Sequence, residues 1–367
     1  MVKRILQYFR RETVLSAALV CALLSFLLTP PSVIHLQGID TTTLLMLFSL
    51  MTIVAGFRRM GALDAVSRKL TRRVTTLRGL SAVMVALCFA LSMLVTNDVA
   101  LLTLVPLTLL LFRAGGQKST IWTVVLETVA ANLGSMVTPI GNPQNLYLYT
   151  SGRLTALDFL TLLAPYAAVA LALLLALCLL LPKERVAVDA SARAPLAGKM
   201  LTLYGALSAL ALLAIAKVLP AWALAAAVFL GTLALDRGTI RQVDYTLLAT
   251  FVCFFVFVAS VKACEPVRAW LEAMMARSPM AVALLTSQVI SNVPAAILLS
   301  GLSEDGRALL IGTNLGGLGT LIASMASLIT YKLYAAAPGS QPKRYMGVFT
   351  LCNLAYLAAL LLLYAFI

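Results

Sequence analysis

Six of the chain's seven asparagines, Asn97, Asn132, Asn142, Asn145, Asn292 and Asn314, fall in short polar clusters set inside apolar runs. An amide in lipid without a partner is costly, so clustering at matching points argues for a shared polar site. Thr96-Asn97-Asp98 interrupts "LCFALSMLVTNDVALLTLVPLTLLLF" (87–112), and Ser291-Asn292 forms the centre of "PMAVALLTSQVISNVPAAILLSGL" (279–302). A carboxylate at that depth is a functional residue by default, and Asp98 has the chemistry to bind a coupling cation or to carry a proton. Its plainer role is to cap the helix that follows. Glu127, five residues before Asn132, is a second candidate proton relay, or a structural acid held by a hydrogen bond.

The same clusters hold the other candidate ligands. Asn97, Asn132, Asn292 and Asn314 offer oxygen ligands to a cation and hydrogen-bond donors to a substrate, with interhelical bonding as the alternative. A Na+ site would use Asn97, Asp98 and Asn132, and Asn142 and Asn145 are further candidate ligands. Thr138, Ser291 and Thr320 add hydroxyls, while Gly134, Gly316 and Gly317 either let helices pack closely or open the backbone so that carbonyls and helix ends face the site. No Lys or Arg falls at midplane depth, so an anionic substrate would draw its counter-charge from helix N-termini, hydroxyls and a co-bound cation. No resident cofactor or metal is expected. The six cysteines form no CxxC pair and His35 is the only histidine, which argues against structural zinc and a disulfide framework. HExxH, GxSxG and a GxGD aspartate are missing, so an intramembrane hydrolase is not expected.

The elements that must position these residues are membrane helices. The chain is 61% apolar and 11% charged, with a mean hydropathy of +0.98, which excludes a soluble domain. The net charge of +14 sits in short clusters between apolar runs, as in cytoplasmic loops, rather than in a nucleic-acid-binding face. Spans are predicted at 13–30, 41–57, 158–181, 200–217, 220–235, 245–262 and 347–366. The basic N-terminal segment lacks a small-residue cleavage site and reads as the first membrane helix.

Three stretches resist a single-span reading. Residues 80–112 would reach about 50 Å as one straight helix, too long for one crossing of a core about 30 Å thick and short for two. Arg72, Arg73 and Arg78 precede this stretch, and Arg113 and Lys118 follow it, so both ends belong in the cytoplasm and the stretch dips in and returns as a re-entrant hairpin with its tip at Thr96-Asn97-Asp98. Residues 119–150 start helical and are interrupted by Gly134, Pro139, Gly141 and Pro143, the mark of a broken helix. A second hairpin (279–302) and a second broken helix (307–335) repeat the order.

"ANLGSMVTPIG" (131–141) aligns with "TNLGGLGTLIA" (313–323) at five of eleven positions, and "TND" (96–98) faces "SNV" (291–293). The predicted fold is all-α: an integral membrane protein of two inverted repeats, 1–182 and 200–367, joined by a cytoplasmic linker at 183–199, with about nine full spans plus two hairpins. In this topology 22 of the 28 Lys and Arg residues lie on the cytoplasmic side. Leu63, Val66, Leu70, Val74 and Leu77 before the first hairpin, and Val267, Trp270, Leu271 and Met274 before the second, are spaced as amphipathic helices, either interfacial or serving as arms to a moving domain.

"LVTNDVALLTLVP", "ANLGSMVTPIGNPQN", "SQVISNVPAAILL" and "TNLGGLGTLIAS" resemble the paired signatures of the ion transporter superfamily, in its citrate-transporter-like and arsenite-permease-like branch, relatives of the divalent-anion/sodium symporters. The resemblance covers nearly the whole chain and is closest to short bacterial inner-membrane members. It implies a scaffold domain and a transport domain, elevator-like alternation and often a homodimer. The symporters carry Ser-Asn-Thr at both tips; here the tips read Thr96-Asn97-Asp98 and Ser291-Asn292-Val293, and Asn142 stands where relatives often have Asp. The expected function is a secondary transporter in the cytoplasmic membrane, proton- or sodium-coupled, moving a small carboxylate or inorganic oxyanion, with its N-terminus in the cytoplasm. The alternative is a sodium/proton antiporter or arsenite-type efflux permease. Expected partners are the anion, the coupling cation and lipid.

Overall fold

The computed structural model describes residues 12–71, 74–112, 116–152, 154–184 and 198–367. Arg72, Arg73, Arg113, most of the 183–199 linker and the basic N-terminal start lie outside the described residues. The described residues form nineteen helices and no β-strand. Six are long and apolar enough to cross a membrane: α3 (Thr41–Arg59), α5 (Leu77–Leu94), α9 (Ala156–Cys178), α10 (Gly198–Ile215), α13 (Tyr245–Ala263) and α19 (Pro342–Phe366). The five of these outside the first hairpin match spans placed from hydropathy.

Two predicted spans are each followed by a short helix, and only the first of them is cut short. The first is α1 (Thr13–Ser25), which ends in turns before Pro30 and Pro31 and is followed by the one-turn α2 (Val33–Gln37). Proline lacks an N–H and pushes the residue before it out of helical geometry, so the chain cannot run straight to residue 30. The other is α11 (Ala221–Leu235), which is followed at Asp236 by the short α12 (Arg237–Ile240). The amphipathic segment before the second hairpin is helical as α14 (Glu265–Arg277). The one before the first is helical only as α4 (Ala62–Thr71), which holds Leu63, Val66 and Leu70, while Val74 lies between helices and Leu77 opens α5.

Each polar interruption is a break between two helices. The first hairpin is α5 and α6 (Asn97–Leu111), packed on each other and joined through extended residues Val95 and Thr96. Their 18 and 15 residues give arms of about 27 and 22 Å. The second hairpin, α15 (Pro279–Ile290) and α16 (Asn292–Leu299), turns at Ser291, whose φ of 74° lies in the left-handed region. Its arms of 12 and 8 residues are much shorter. The broken helices are α7 (Gly116–Ser135) with α8 (Pro143–Thr150), and α17 (Gly306–Leu315) with α18 (Met325–Ala335).

The packing pairs these elements in a regular way. The first half of each broken helix lies on the first arm of the hairpin before it, α7 on α5 and α17 on α15. The second half crosses to the other hairpin: α8 packs on α16, and α18 packs on α6. Around this core, α1 packs on α13, and α3 packs on α10 and α11.

Candidate substrate and ion site

A helix start leaves backbone N–H groups without partners, and at the hairpin tips the breaks supply them. The Asn97 N–H donates to the Gly141 carbonyl at 2.9 Å, and the Asn292 N–H donates to the Ala323 carbonyl at 3.0 Å. Gly141 and Ala323 are the last residues of the two aligned stretches. Thr138 Oγ1 donates to the Met93 carbonyl (2.7 Å), and Thr320 Oγ1 donates to the Gln288 carbonyl (3.2 Å). A Cβ on Gly134 would lie 2.6 Å from Ser92 Oγ, and one on Gly316 would lie 2.7 Å from Ser287 Cβ. These two glycines are where each broken helix touches its own hairpin, and only an absent side chain permits the approach. In each pair the second contact falls at the position aligned with the first.

The breaks also bond to each other crosswise. Asn132 Oδ1 accepts from Ser324 Oγ (2.9 Å), and Asn132 Nδ2 donates to Ser327 Oγ (3.3 Å). Asn314 Oδ1 accepts from Asn142 Nδ2 (3.2 Å), and Asn314 Nδ2 donates to Asn145 Oδ1 (2.8 Å). Thus each break asparagine accepts from the N-cap residue of the other half-helix and donates to the residue three positions further on. Asn142 Oδ1 caps its own helix at the Asn145 N–H (2.9 Å), and Asn145 Nδ2 donates to the carbonyls of Met136 (2.9 Å) and Thr138 (3.1 Å).

Asn97, Asn132, Gly134, Thr138, Asn142, Asn145, Ser291, Asn292, Asn314, Gly316, Gly317 and Thr320 are therefore gathered at one place, where the tips meet the breaks. The amides spend most of their hydrogen-bonding capacity on one another. Asn97 Nδ2 donates to Asn132 Oδ1 (3.3 Å), and Asn97 Oδ1 accepts from the Asp98 N–H (2.9 Å). Asn292 differs from its counterpart: its only side-chain bond among the described residues is from Ser291 Oγ at 3.5 Å. Its Nδ2 lies 2.9 Å from where a Cβ on Gly317 would be, so Gly317 is the space that accommodates this amide.

Thr96 and Asp98 face a cavity of about 520 Å³. Thr96 caps α6 in position but makes no side-chain cap bond, and the buried Asp98 Oδ1 has no hydrogen-bond partner. The opposite wall is a stripe of α3, Leu47, Met51, Val54, Ala55, Arg58 and Arg59, completed by Gln242, Asp244 and Leu247 at the start of α13. From Leu47 to Arg58 the stripe runs about 17 Å along the helix. A smaller adjoining cavity of about 120 Å³ shares Asp98 and Asp244 and is also lined by Glu12 and Lys332.

Arg58, Arg59, Gln242 and Asp244 were not candidates from sequence. The signal was present as helical spacing down one face of the 41–57 span, but which face met the hairpin tip was not. Glu127 lines neither cavity. It is fully buried, accepts from Thr108 Oγ1 at 2.6 Å, and its Oε2 has no partner.

A family model described as "Citrate transporter" matches residues 4–305. The chain belongs to the citrate transporter family. An uncharacterised transporter of Methanocaldococcus jannaschii is 32% identical over 314 residues, 85% of each chain. The inner membrane protein YbiR of Escherichia coli is 33% identical over 305 residues, 81% of this chain and 80% of that protein. The crystal structure of the Alcanivorax borkumensis YdaH transporter shares the fold, with a TM-score of 0.53 at 16% identity over 88% of this chain and 85% of that one. This citrate transporter family member is a multi-pass membrane transporter and not an enzyme.

Proposed function

We propose that the protein is a secondary transporter of the inner membrane that moves a small carboxylate or inorganic oxyanion, driven by protons or sodium. The observation that carries this reading is Asp98: a tip carboxylate with an unpartnered oxygen, facing a cavity that runs beside α3. An uncompensated acid there calls for a proton or a cation. Thr96 and Asp98 fit the coupling ion best, because the oxygens of Asn97 and Asn132 already accept hydrogen bonds. The asparagine cross-brace then acts by holding the two tips and two breaks as one body.

The matched hydrogen bonds support two inverted repeats, 1–182 and 200–367, with 183–199 as the linker. The positive-charge count supports an N-terminus in the cytoplasm, and the contacts fit the same grouping of the two ends. Residues assigned to the cytoplasmic side by charge meet at one end of the molecule: Arg58, Asp244, Lys332 and Glu12 surround the cavities, and Gln117 meets Tyr334. Residues assigned outside meet at the other, as in Arg307 with Asp158 and Lys262 with the Ser300 carbonyl. On this reading the cavity faces the cytoplasm, and the core containing both hairpins rises against α3 and α13 in an elevator-like step, in a homodimer.

A sodium/proton antiporter or arsenite-type permease is the second reading, favoured by Asp98 and Asp244 sharing one cavity. Proteoliposomes separate them. Anion symport requires citrate, sulfate or another small anion to enter together with H+ or Na+; antiport gives H+ flux driven by Na+ with no anion present. A thermal-shift screen against sodium, pH, dicarboxylates, citrate, sulfate and arsenite selects the anions to test, since a ligand of the folded state raises Tm.

A further inference from the structure

Two adjacent arginines end α3, and their surroundings give them different work. Arg59 pairs with Asp236, whose second oxygen accepts from Tyr204 Oη at 2.9 Å and from Thr239 Oγ1 at 2.8 Å. Gly238 lies against the Arg59 guanidinium, where a Cβ would have no room. Arg59 is thereby held against Asp236 and Gly238, where α11 ends and α12 begins. Arg58 lines the same cavity, is exposed to it, and has no hydrogen-bond or ion-pair partner among the described residues.

Among the described residues, the other charged groups lining this cavity are Asp98, Asp244 and Arg59. Asp244 accepts from the Leu247 N–H at 2.9 Å, so its charge is partly met by the N-terminus of α13. Asp98 lies in the first turn of α6, but its Oδ1 has no hydrogen-bond partner. Among the described residues, Arg58 is the one cation lining the cavity without a carboxylate partner.

We propose that Arg58 binds the transported anion in this cavity, contacting a carboxylate or oxyanion through its guanidinium. The proposal rests on the anion-transport reading and adds to it the residue that supplies the missing positive charge. Guanidinium is always charged and presents a planar fork matched to carboxylate and oxyanion oxygens. It lies outside the bilayer midplane, yet the cavity connects it to the Asp98 tip. An anion drawn in by Arg58 approaches Asp98 most easily once the coupling ion has neutralised that acid, so both ligands favour each other's binding.

Ala55 lines the same cavity one turn before Arg58. The full chain carrying Ala55→Cys, in proteoliposomes, is treated with an anionic and with a cationic thiosulfonate, and labelling at position 55 is read by mass spectrometry. The ratio of anionic to cationic labelling is expected to fall about tenfold when Arg58→Gln is added, and to be restored by Arg58→Lys. Sulfate is expected to slow anionic labelling with Arg58 present and not with Arg58→Gln. Leu102→Cys, on the opposite wall, replaces Ala55→Cys if the latter fails to give a monodisperse protein. A ratio unchanged by Arg58→Gln, or sulfate protection that survives it, overturns the proposal.

Citrate and sulfate uptake in the same vesicles keeps the two claims apart. Arg58-dependent sulfate protection without uptake of either anion by the unsubstituted chain supports the binding residue and counts against the transport reading. Uptake with KM unchanged by Arg58→Gln supports transport and overturns the role of Arg58; a KM raised about tenfold supports both.

Discussion

Replacing Asn314 with alanine tests whether the two halves of the core are held together by their asparagines. The substitution removes the donor serving Asn145 Oδ1 and the Leu310 carbonyl, both at 2.8 Å, and the acceptor for Asn142 Nδ2 at 3.2 Å. Asn142 Nδ2 keeps Ser135 Oγ at 3.2 Å, but Asn145 Oδ1 loses its partner in a fully buried site. Three side-chain bonds at the roughly 0.6 kcal/mol found on average inside membrane proteins give about 2 kcal/mol. An orphaned buried oxygen adds about 1–3 kcal/mol. The expected loss is therefore about 3–5 kcal/mol, read by reversible unfolding in mild detergent. Adding Asn145→Ala removes the orphan, so the double variant is expected to be at least about 1 kcal/mol more stable than the sum of the single losses implies. A loss below about 0.5 kcal/mol for Asn314→Ala, or strict additivity with Asn145→Ala, refutes the cross-brace.

Other substitutions probe separate parts of the account. Gly134→Ala and Gly316→Ala drive a methyl into Ser92 and Ser287 and are expected to cost about 1–3 kcal/mol or more. Gly205→Ala and Gly347→Ala, with nothing within 4 Å of the added atom, should instead raise stability by about 0.5–1 kcal/mol through helix propensity; equal melting temperatures for the two sets would contradict the close approach at the breaks. Tyr204→Phe removes the hydroxyl shared by Asp236 and Thr239 and should cost about 1–2 kcal/mol, since Asp236 retains Arg59. Glu127→Gln keeps an acceptor for Thr108 and replaces an acid that has no cation partner among the described residues, so Tm is expected to hold or rise; a fall of more than about 5 °C would show that the fold depends on the acid itself.

Much of this architecture is legible in the sequence because a bilayer imposes strict rules on length and charge. The spans at 41–57 and 245–262 end within two residues of α3 and α13, since apolar length alone fixes them. The interruptions are legible because polar triplets, Gly and Pro cannot continue a lipid-facing helix, and the structure puts its turns at Val95–Thr96 and Ser291. Pro30 and Pro31 carried a stop signal for α1 that hydropathy averages away. Partner choice among the amides is set by tertiary packing: Asn142 and Asn314 are 172 residues apart, and nothing local says that each break bonds to the other's N-cap. Arg58 and Asp244 read as loop-end charges in sequence, and only the packing of α3 and α13 against the hairpin core gives them a cavity in common with Asp98.

The central claim is that ion binding at Asp98 drives anion movement, and its most direct measurement is anion uptake by Asp98→Asn proteoliposomes under an imposed H+ or Na+ gradient. The unsubstituted protein is expected to accumulate anion until the gradient is collapsed. Asp98→Asn is expected to fold, to retain exchange of anion for anion, and to lose accumulation. Gradient-driven accumulation that persists in Asp98→Asn at the unsubstituted rate would contradict the account.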